Sequence, residues 1–179
     1  RELTDKTIGV DLGIKKLAVA SHGDECIEFN NINKSKRVRN LEHKLKHLQR
    51  NLSRKYRTNG NYEKTNAVVK LDAQIAEIYY KLSNIRKNYI HQTTHKLVEL
   101  LPKKVAMEDL NIAGMMKNRH LSKAIANQCL FEFIRQMRYK CEWNGIEFVQ
   151  ADRFFPSSKT CSECGVIKKD LKLKDRTYV

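Results

Sequence analysis

Glycine and proline are scarce in this chain, with seven Gly and two Pro among 179 residues, so we expect long regular elements. No run of about 20 apolar residues occurs, which excludes a membrane-spanning helix. No secretory signal peptide is visible either. The five cysteines are an odd number, which argues against a secreted disulfide scaffold. We therefore expect a cytoplasmic protein with no membrane partner.

Acidic residues are too few to balance the basic ones. The chain has 35 Lys and Arg against 20 Asp and Glu, a formal net charge of +15. This imbalance indicates a polyanionic partner, in the first place nucleic acid, with an anionic membrane as the alternative. The length suits one good core with a small appendage. Because the chain begins at Arg1 and not at Met, we expect it to be a piece of a longer protein.

The first 30 residues predict a β-meander. Short apolar runs at residues 7–11, 17–20 and 25–29 are separated by turn residues. The first run ends in Asp11, followed by Leu12 and Gly13. Asp11 has two interpretations: it binds a divalent metal, because hard cations prefer carboxylate oxygens, or it is an ordinary aspartate at a strand end. A meander with an aspartate on its first strand resembles the opening of the ribonuclease H-like fold.

Residues 34–100 predict two long antiparallel helices that pack as a coiled-coil hairpin. Leucines recur at a 4-3-4 spacing before a break at residues 58–61, and Leu and Ile recur at a 4-3-4-3 spacing after it. A first arm of about 24 residues would be roughly 36 Å long. The predicted core positions are Leu41, Leu45, Leu48, Leu52, Leu71, Ile75, Ile78, Leu82 and Ile85.

The first arm of this hairpin is strongly basic. A charge run is usually a solvated helix face, and the second arm alternates in sign as such a face does. The first arm does not alternate, so we interpret its charge as a contact surface for nucleic-acid phosphates. The predicted nucleic-acid-binding residues are Lys34, Lys36, Arg37, Arg39, Lys44, Lys46, Arg50, Arg54, Lys55 and Arg57.

The segment 101–153 predicts a strand, a helix and a further strand. The strand at 103–110 ends in Glu108 and Asp109, and a loop is expected over 111–118. One helix is expected from Ser122, as its N-cap, to a stop at Gly145. The fifth strand is expected at 146–150. The expected core positions of the helix are Ala126, Leu130, Phe133, Met137 and Cys141.

Asp11 and Glu108 each end a predicted strand. In a ribonuclease H-like sheet the first and fourth strands are neighbours, which would bring the two carboxylates together. Such a pair repels unless a cation lies between its members, and Mg²⁺ removes the repulsion. Two ions bridged by carboxylates catalyse phosphodiester hydrolysis in many nucleases. Asp109 ranks second, because successive strand residues point to opposite faces.

Cys161 and Cys164 have the two-residue spacing of a zinc knuckle, with Gly165 permitting the tight turn. A zinc ribbon needs two more ligands, and no second pair follows before Val179. The pair is therefore a half-site whose partners lie beyond Val179, a redox pair or a metal-free pair. The chain continues into Val166 and Ile167 as a knuckle enters a strand, which favours zinc over the redox pair, since a redox pair opens a helix.

Three motifs together carry a family resemblance. The segments 8–13, 107–111 and 154–165 resemble the TnpB family, the transposon-encoded OrfB proteins, which are similar to type V CRISPR effector nucleases. The resemblance implies a RuvC-like nuclease of RNase H fold in an RNA-guided DNA endonuclease. DNA and a guide RNA are the implied partners, and Mg²⁺ or Mn²⁺ is the implied cofactor.

The resemblance also implies residue roles. Asp11 would be the first catalytic carboxylate and Glu108 the second, while Cys161 and Cys164 would be the first pair of a four-cysteine Zn²⁺ ribbon. The family carries its second cysteine pair and its third catalytic aspartate further along than Val179, so we expect a nuclease core cut at both ends.

The implied fold is an α/β, RNase H-like mixed sheet with a helical-hairpin insertion and a partial zinc ribbon. Its expected divisions are a core at 1–33 and 101–153, the hairpin at 34–100 and the ribbon segment at 154–179. Two alternatives remain. One is a catalytically inactive nucleic-acid-binding module. The other is an actin- or Hsp70-like phosphate-binding domain, which needs a second domain and a glycine-rich loop that this sequence lacks.

Overall fold

The structure is a computed structural model that describes residues 2–22, 25–59, 64–152, 159–160, 164 and 166–168. Five strands and five α-helices are seen in this part of the chain, which confirms a mixed α/β architecture. In chain order they are β1 (Thr4–Leu12), β2 (Lys16–His22), β3 (Glu25–Asn30), α1 (Lys36–Asn59), α2 (Asn66–Glu99), β4 (Pro102–Glu108), α3 (Ile112–Met116), α4 (Ser122–Gln128), α5 (Leu130–Trp143) and β5 (Glu147–Ala151). A 3-10 turn, Ile32–Lys34, precedes α1.

The five strands form one mixed sheet in the order β3-β2-β1-β4-β5. The first three strands are an antiparallel meander, as predicted. The β4 strand runs parallel to β1 and to β5. Parallel neighbours need long crossover connections, which the helices between the strands provide. The prediction that the first and fourth strands are neighbours is therefore confirmed.

One face of the sheet is buried against helices. Side chains alternate along β1, so Ile8 and Val10 point into the core while Asp11 is exposed. The helices α2 and α5 cover the buried face, for example with Leu97 and Phe133. This alternation leaves the other face of the sheet available for a site.

The two long helices α1 and α2 pack antiparallel. Gln49 bonds Tyr79 and Glu42 bonds Arg86, so positions on α2 descend as those on α1 rise. A separate apolar cluster joins the two helices, and Val38, which the spacing did not mark, belongs to it. The cluster contains Val38, Leu48, Ile75, Ile78 and Leu82 as buried residues, with Leu41, Leu45, Leu52, Leu71 and Ile85 half-buried. The two predicted antiparallel helices and their core positions are confirmed.

The helix predicted from Ser122 is broken into α4 and α5 at Cys129, which has φ 52° and ψ 43°. A left-handed residue changes the direction of the chain, so the apolar positions before it do not share a face with those after it. Ala126 is consequently exposed, and Ile125 is buried in its place. Leu121 occupies the N-cap position, so the expectation for Ser122 was wrong.

The loop expected over 111–118 contains the short helix α3. The Asn111 side chain accepts a hydrogen bond from the Gly114 amide at 2.9 Å and caps this turn. The stop at Gly145 is confirmed, because this glycine has φ 67° and lies two residues after Trp143, the last residue of α5. Among the described residues, no helix is long and apolar enough to cross a membrane.

Candidate metal and nucleic-acid site

Asp11 and Glu108 lie at equivalent positions on neighbouring parallel strands. Val10 on β1 pairs with Met107 on β4, and each acid is the next residue of its strand. Both acids are exposed, and both line one cavity of about 400 Å³ on the open face of the sheet. The structure therefore brings the two predicted carboxylates to the same cavity.

Small side chains leave room beside these carboxylates. Gly9, Ser21 and Ala106 line the same cavity as the acids. A Cβ atom at Gly9 would lie 3.1 Å from the Ser21 hydroxyl, so glycine lets the β2 side chain approach β1 closely. The open face is thus recessed next to Asp11 and Glu108, where a ligand could approach both carboxylates.

Asp152 is a third acid on this cavity, and the sequence analysis missed it. Ala151 at the end of β5 pairs with Glu108, and Asp152 follows it. The carboxyl ends of parallel strands meet at one edge of a sheet, so an aspartate after the fifth strand was a detectable signal. Asp109, which ranked second from the sequence, is half-buried and is not among the residues lining this cavity.

The acids fit one kind of metal ion better than others. In the described part of the chain, no group of three His, Cys, Asp or Glu side chains is arranged to hold a metal by itself. Magnesium is usually held by one or two carboxylates, with water and substrate phosphates completing its shell. Two oxygen ligands on Asp11 and Glu108 match that requirement and do not match the closed four-ligand sites of structural zinc.

All ten predicted nucleic-acid-binding residues are exposed, but those on α1 face two directions. A helix turns by about 100° per residue, so Lys46, Arg50 and Arg54 lie within about 80° of one another. By the same geometry Arg37, Lys44 and Lys55 lie about 130° away from the first group. One nucleic-acid backbone cannot run along both faces. The predicted nucleic-acid-binding residues on α1 therefore fall into two groups, of which one backbone can contact only one.

A groove lies along the first of these faces. Its volume is about 410 Å³, and no acid lines it. Ion pairs found in the described part of the chain involve none of its four cations. The lining residues are Lys46, Gln49, Arg50, Ser53, Arg54 and Arg57. Unpaired cations in a groove are available for phosphate oxygens.

The start of the arm has a different environment. The Lys34 ammonium donates to the Lys15 carbonyl at 3.2 Å, and Glu42 on α1 pairs with Arg86 on α2 at 3.0 Å. These contacts hold the arm to the rest of the protein, so this end of α1 is a structural junction while its other end carries the groove.

The cysteine pair falls partly outside the described residues, which include Cys164 but not Cys161. Cys164 is exposed, with a free thiol. Thr160 and Ile167 form an antiparallel bridge, and the Lys168 amide donates to the Lys159 carbonyl at 2.8 Å. The chain on the two sides of the cysteine pair is therefore paired as in a small hairpin.

Comparison with models of protein families shows which family this chain belongs to. The OrfB_IS605 model, described as "Probable transposase", matches residues 1–119. The chain belongs to this family. A second model, described as "Cas12f1-like, TNB domain", matches residues 131–179 of this OrfB_IS605 chain. The family resemblance predicted from the three motifs is confirmed.

Relatives of this OrfB_IS605 chain have related names. A protein of Streptomyces pristinaespiralis, named "Putative RNA-guided DNA endonuclease", is 31% identical over 98% of this chain and 40% of its own length. "Putative RNA-guided DNA endonuclease InsQ" of Escherichia coli K12 is 27% identical over 96% of this chain and 43% of its own length. The chain spans less than half the length of these relatives.

Solved structures share the fold of this OrfB_IS605 chain. A Cas12f1-sgRNA-target DNA complex aligns with a TM-score of 0.54 at 17% identity, covering 93% of this chain and 41% of the other. A CRISPR-Cas12f ternary complex aligns with a TM-score of 0.64 at 18% identity, covering 96% and 33%. At such identities the likeness establishes a common fold.

Proposed function

We propose that this chain is the nuclease core of an RNA-guided DNA endonuclease, with a RuvC-like, RNase H-type fold. The observation that carries the proposal is the parallel pairing of β1 with β4, with Asp11 and Glu108 on one cavity. The sheet order and the names of the relatives support it. In this proposal residues 1–33 and 101–153 form the core, 34–100 the inserted hairpin and 154–179 an incomplete zinc ribbon.

Asp11 and Glu108 are the proposed catalytic residues, and they would hold Mg²⁺ or Mn²⁺. When bound, such an ion neutralises charge on the scissile phosphate and stabilises the leaving oxygen. The protein contributes rigid positions, because both carboxylates are on hydrogen-bonded strands of one sheet. The recess at Gly9 and Ala106 provides space beside them for a phosphodiester.

The groove on α1 is the proposed contact for the phosphate backbone of DNA or guide RNA. Three of its cations, Lys46, Arg50 and Arg54, follow one another at four-residue steps of about 6 Å along the helix. Phosphates on one strand of a duplex repeat every ~3.4 Å along its axis, so such a row can meet about every second phosphate. Contacts to phosphate position a nucleic acid without reading its sequence.

Cys161 and Cys164 are the proposed first half of the Zn²⁺ site. The bridge between Thr160 and Ile167 supports a knuckle over a redox pair, because a redox pair precedes a helix. A half-site with two thiolates needs two further ligands for a tetrahedral shell. Zinc binding is therefore proposed only where two further ligands complete the shell.

A second candidate function is a nucleic-acid-binding module without catalysis. One observation favours it: the basic groove on α1 shares no lining residue with the cavity of the acids, so phosphate binding does not depend on them. In that case the groove on α1 would still bind a phosphate backbone, while the acids would not support hydrolysis. Metal-dependent cleavage by this chain alone would exclude the second candidate.

The deciding experiment uses the full-length protein with its guide RNA and Mg²⁺. We expect Asp11→Ala and Glu108→Ala each to abolish cutting of target DNA, because each removes a metal ligand. Asp5→Ala and Glu147→Ala are matched controls, since Asp5 is an exposed acid on β1 and Glu147 an exposed acid on β5. Both controls should cut normally. Full activity of Asp11→Ala would refute the proposal.

A further inference from the structure

Gln128, the last residue of α4, is buried although its side chain is polar, with 2% of its surface exposed. Its Nε2 donates to the carbonyl of Gly13 at 2.9 Å and to the carbonyl of Ile14 at 3.3 Å. These carbonyls belong to the turn between β1 and β2, which begins two residues after Asp11. Gln128 therefore attaches that turn to the helical side of the protein.

A neighbouring amide fixes the orientation of the Gln128 side chain. Asn33 donates from Nδ2 to the Gln128 Oε1 at 3.3 Å and to the Asn127 carbonyl at 3.0 Å. The Asn33 Oδ1 in turn accepts from the Arg86 Nε at 2.8 Å. An amide has one donor and one acceptor end, so these partners require the nitrogen of Gln128 to face the turn.

The same network reaches the junction at the start of the basic arm. Arg86 pairs with Glu42 on α1 at 3.0 Å, and the two side chains are 14% and 31% exposed. Asn127 also donates from Nδ2 to Glu42, at 3.3 Å. Hydrogen bonds in such partly buried networks support one another, so each member helps to hold the next.

The turn itself is held at both ends. The Gly13 amide donates to the Leu17 carbonyl at 3.2 Å, which closes the turn between the strands. Asn31 donates from Nδ2 to the Ile14 carbonyl at 2.8 Å. Gln128 is the side chain that reaches the Gly13 carbonyl, which lies next to the end of β1.

We propose that Gln128 is a positioning residue for the acidic pair. By holding the carbonyls of Gly13 and Ile14, it fixes the end of β1 and with it the direction of the Asp11 carboxylate. Partners behind a metal ligand determine its orientation and hence the affinity of the site. This inference rests on the proposed function, because Asp11 must be a metal ligand for its direction to matter.

The test compares Gln128→Met with Gln136→Met in the complete 179-residue chain. Gln136 is a matched control, since it is also a buried glutamine, 6% exposed, and bonds Thr94 and Glu132 away from the turn. Mn²⁺ affinity is measured by titration calorimetry, and amide hydrogen exchange is measured over residues 12–17. We expect Gln128→Met to weaken Mn²⁺ binding by about 10-fold and to speed exchange in the turn. Gln136→Met should change neither.

The outcomes distinguish a failure of the positioning role of Gln128 from a failure of the proposed function. If the unaltered chain binds Mn²⁺ and Gln128→Met binds it equally well, the positioning role is wrong and the proposed function stands. Equal weakening by both variants also overturns the role, because it would show a general loss of stability. If the unaltered chain binds no Mn²⁺, the positioning role fails, because Asp11 then holds no metal whose affinity Gln128 could affect. The cutting assay with Asp11→Ala decides the proposed function separately. Should Gln128→Met not fold, Asn33→Ser replaces it, and unchanged Mn²⁺ affinity in that variant overturns the proposal.

Discussion

Lys140 on α5 donates from its ammonium group to the Nδ1 atom of His91 on α2 at 2.8 Å. The same ammonium donates to the His91 carbonyl at 2.9 Å and to the Thr94 hydroxyl at 2.6 Å. All three of its N–H groups are therefore used, although in the described part of the chain no carboxylate bonds it. This contact ties α2 to α5 behind the sheet.

Lys140 gives the protein a defined dependence of stability on pH. Burial lowers the pKa of the Lys140 ammonium from its usual 10.5. In the pH range between the lowered value and 10.5, the unfolded chain therefore binds more protons, and stability rises with pH. Compared with Lys140→Met, we therefore expect the unaltered chain to gain stability as pH rises towards 10.5.

Urea unfolding at about pH 7 and about pH 10 measures this gain as the difference in free energy of unfolding between the two proteins. The control replaces Lys87, an exposed lysine on α2. The difference in free energy of unfolding between the unaltered chain and Lys87→Met should be the same at both pH values. The expectation would be contradicted if the free energy of unfolding of the unaltered chain, relative to that of Lys140→Met, stayed constant or fell as pH rises.

Substitution by Gly and by Val is predicted to rank oppositely in stability at Cys129 and at Cys141. Cys129 has a positive φ, which costs a residue with a side chain roughly 1–2 kcal/mol and a β-branched residue more. Cys141 is fully buried within α5, where glycine costs about 1 kcal/mol in helix propensity and leaves a cavity as well. At position 129 we therefore expect Gly to be better tolerated than Val, and at position 141 the reverse.

Thermal unfolding of the four variants measures this order. Each site is the control for the other, because Cys is replaced by the same two residues, Gly and Val, at both ends of one helix. The same preference at both sites, for Gly or for Val, would show that the backbone at Cys129 does not determine its tolerance.

Local spacing explains what the sequence revealed about the fold. Apolar residues at helical or strand period mark which side of an element is buried, and this was enough for the hairpin and for all five strands. The break at Cys129 has no such mark, because a cysteine with a positive φ looks the same in the sequence as a cysteine within a helix. The pattern therefore predicted a continuous helix and placed Ala126 in the core.

The site shows a related division. That Asp11 and Glu108 lie on one cavity could be predicted because each follows an apolar strand segment, and applying the same rule to β5 would have added Asp152. Gln128 could not, because its partners Gly13 and Asn33 are more than 90 residues away in sequence. Contacts of that range leave no periodic pattern, and a buried glutamine looks like a surface residue in the sequence.

The groove on α1 predicts a salt dependence that only one face of the helix should carry. For duplex DNA the slope of log affinity against log salt is about 0.9 per phosphate neutralised. Replacing Lys46, Arg50 and Arg54 together by Gln should therefore flatten the slope by about 2.7. Fluorescence anisotropy with a labelled duplex, measured over a series of salt concentrations, gives the slope.

The matched control neutralises three cations on the other face of the same helix. Replacing Arg37, Lys44 and Lys55 by Gln removes the same net charge from α1, and these residues are exposed as well. Because they do not line the groove, we expect this variant to change the slope by less than about 1, even though it lowers affinity slightly through the loss of long-range attraction. Equal flattening by both variants would mean that net charge, and not the groove, governs binding. No flattening by either would place the phosphate contacts elsewhere on the protein.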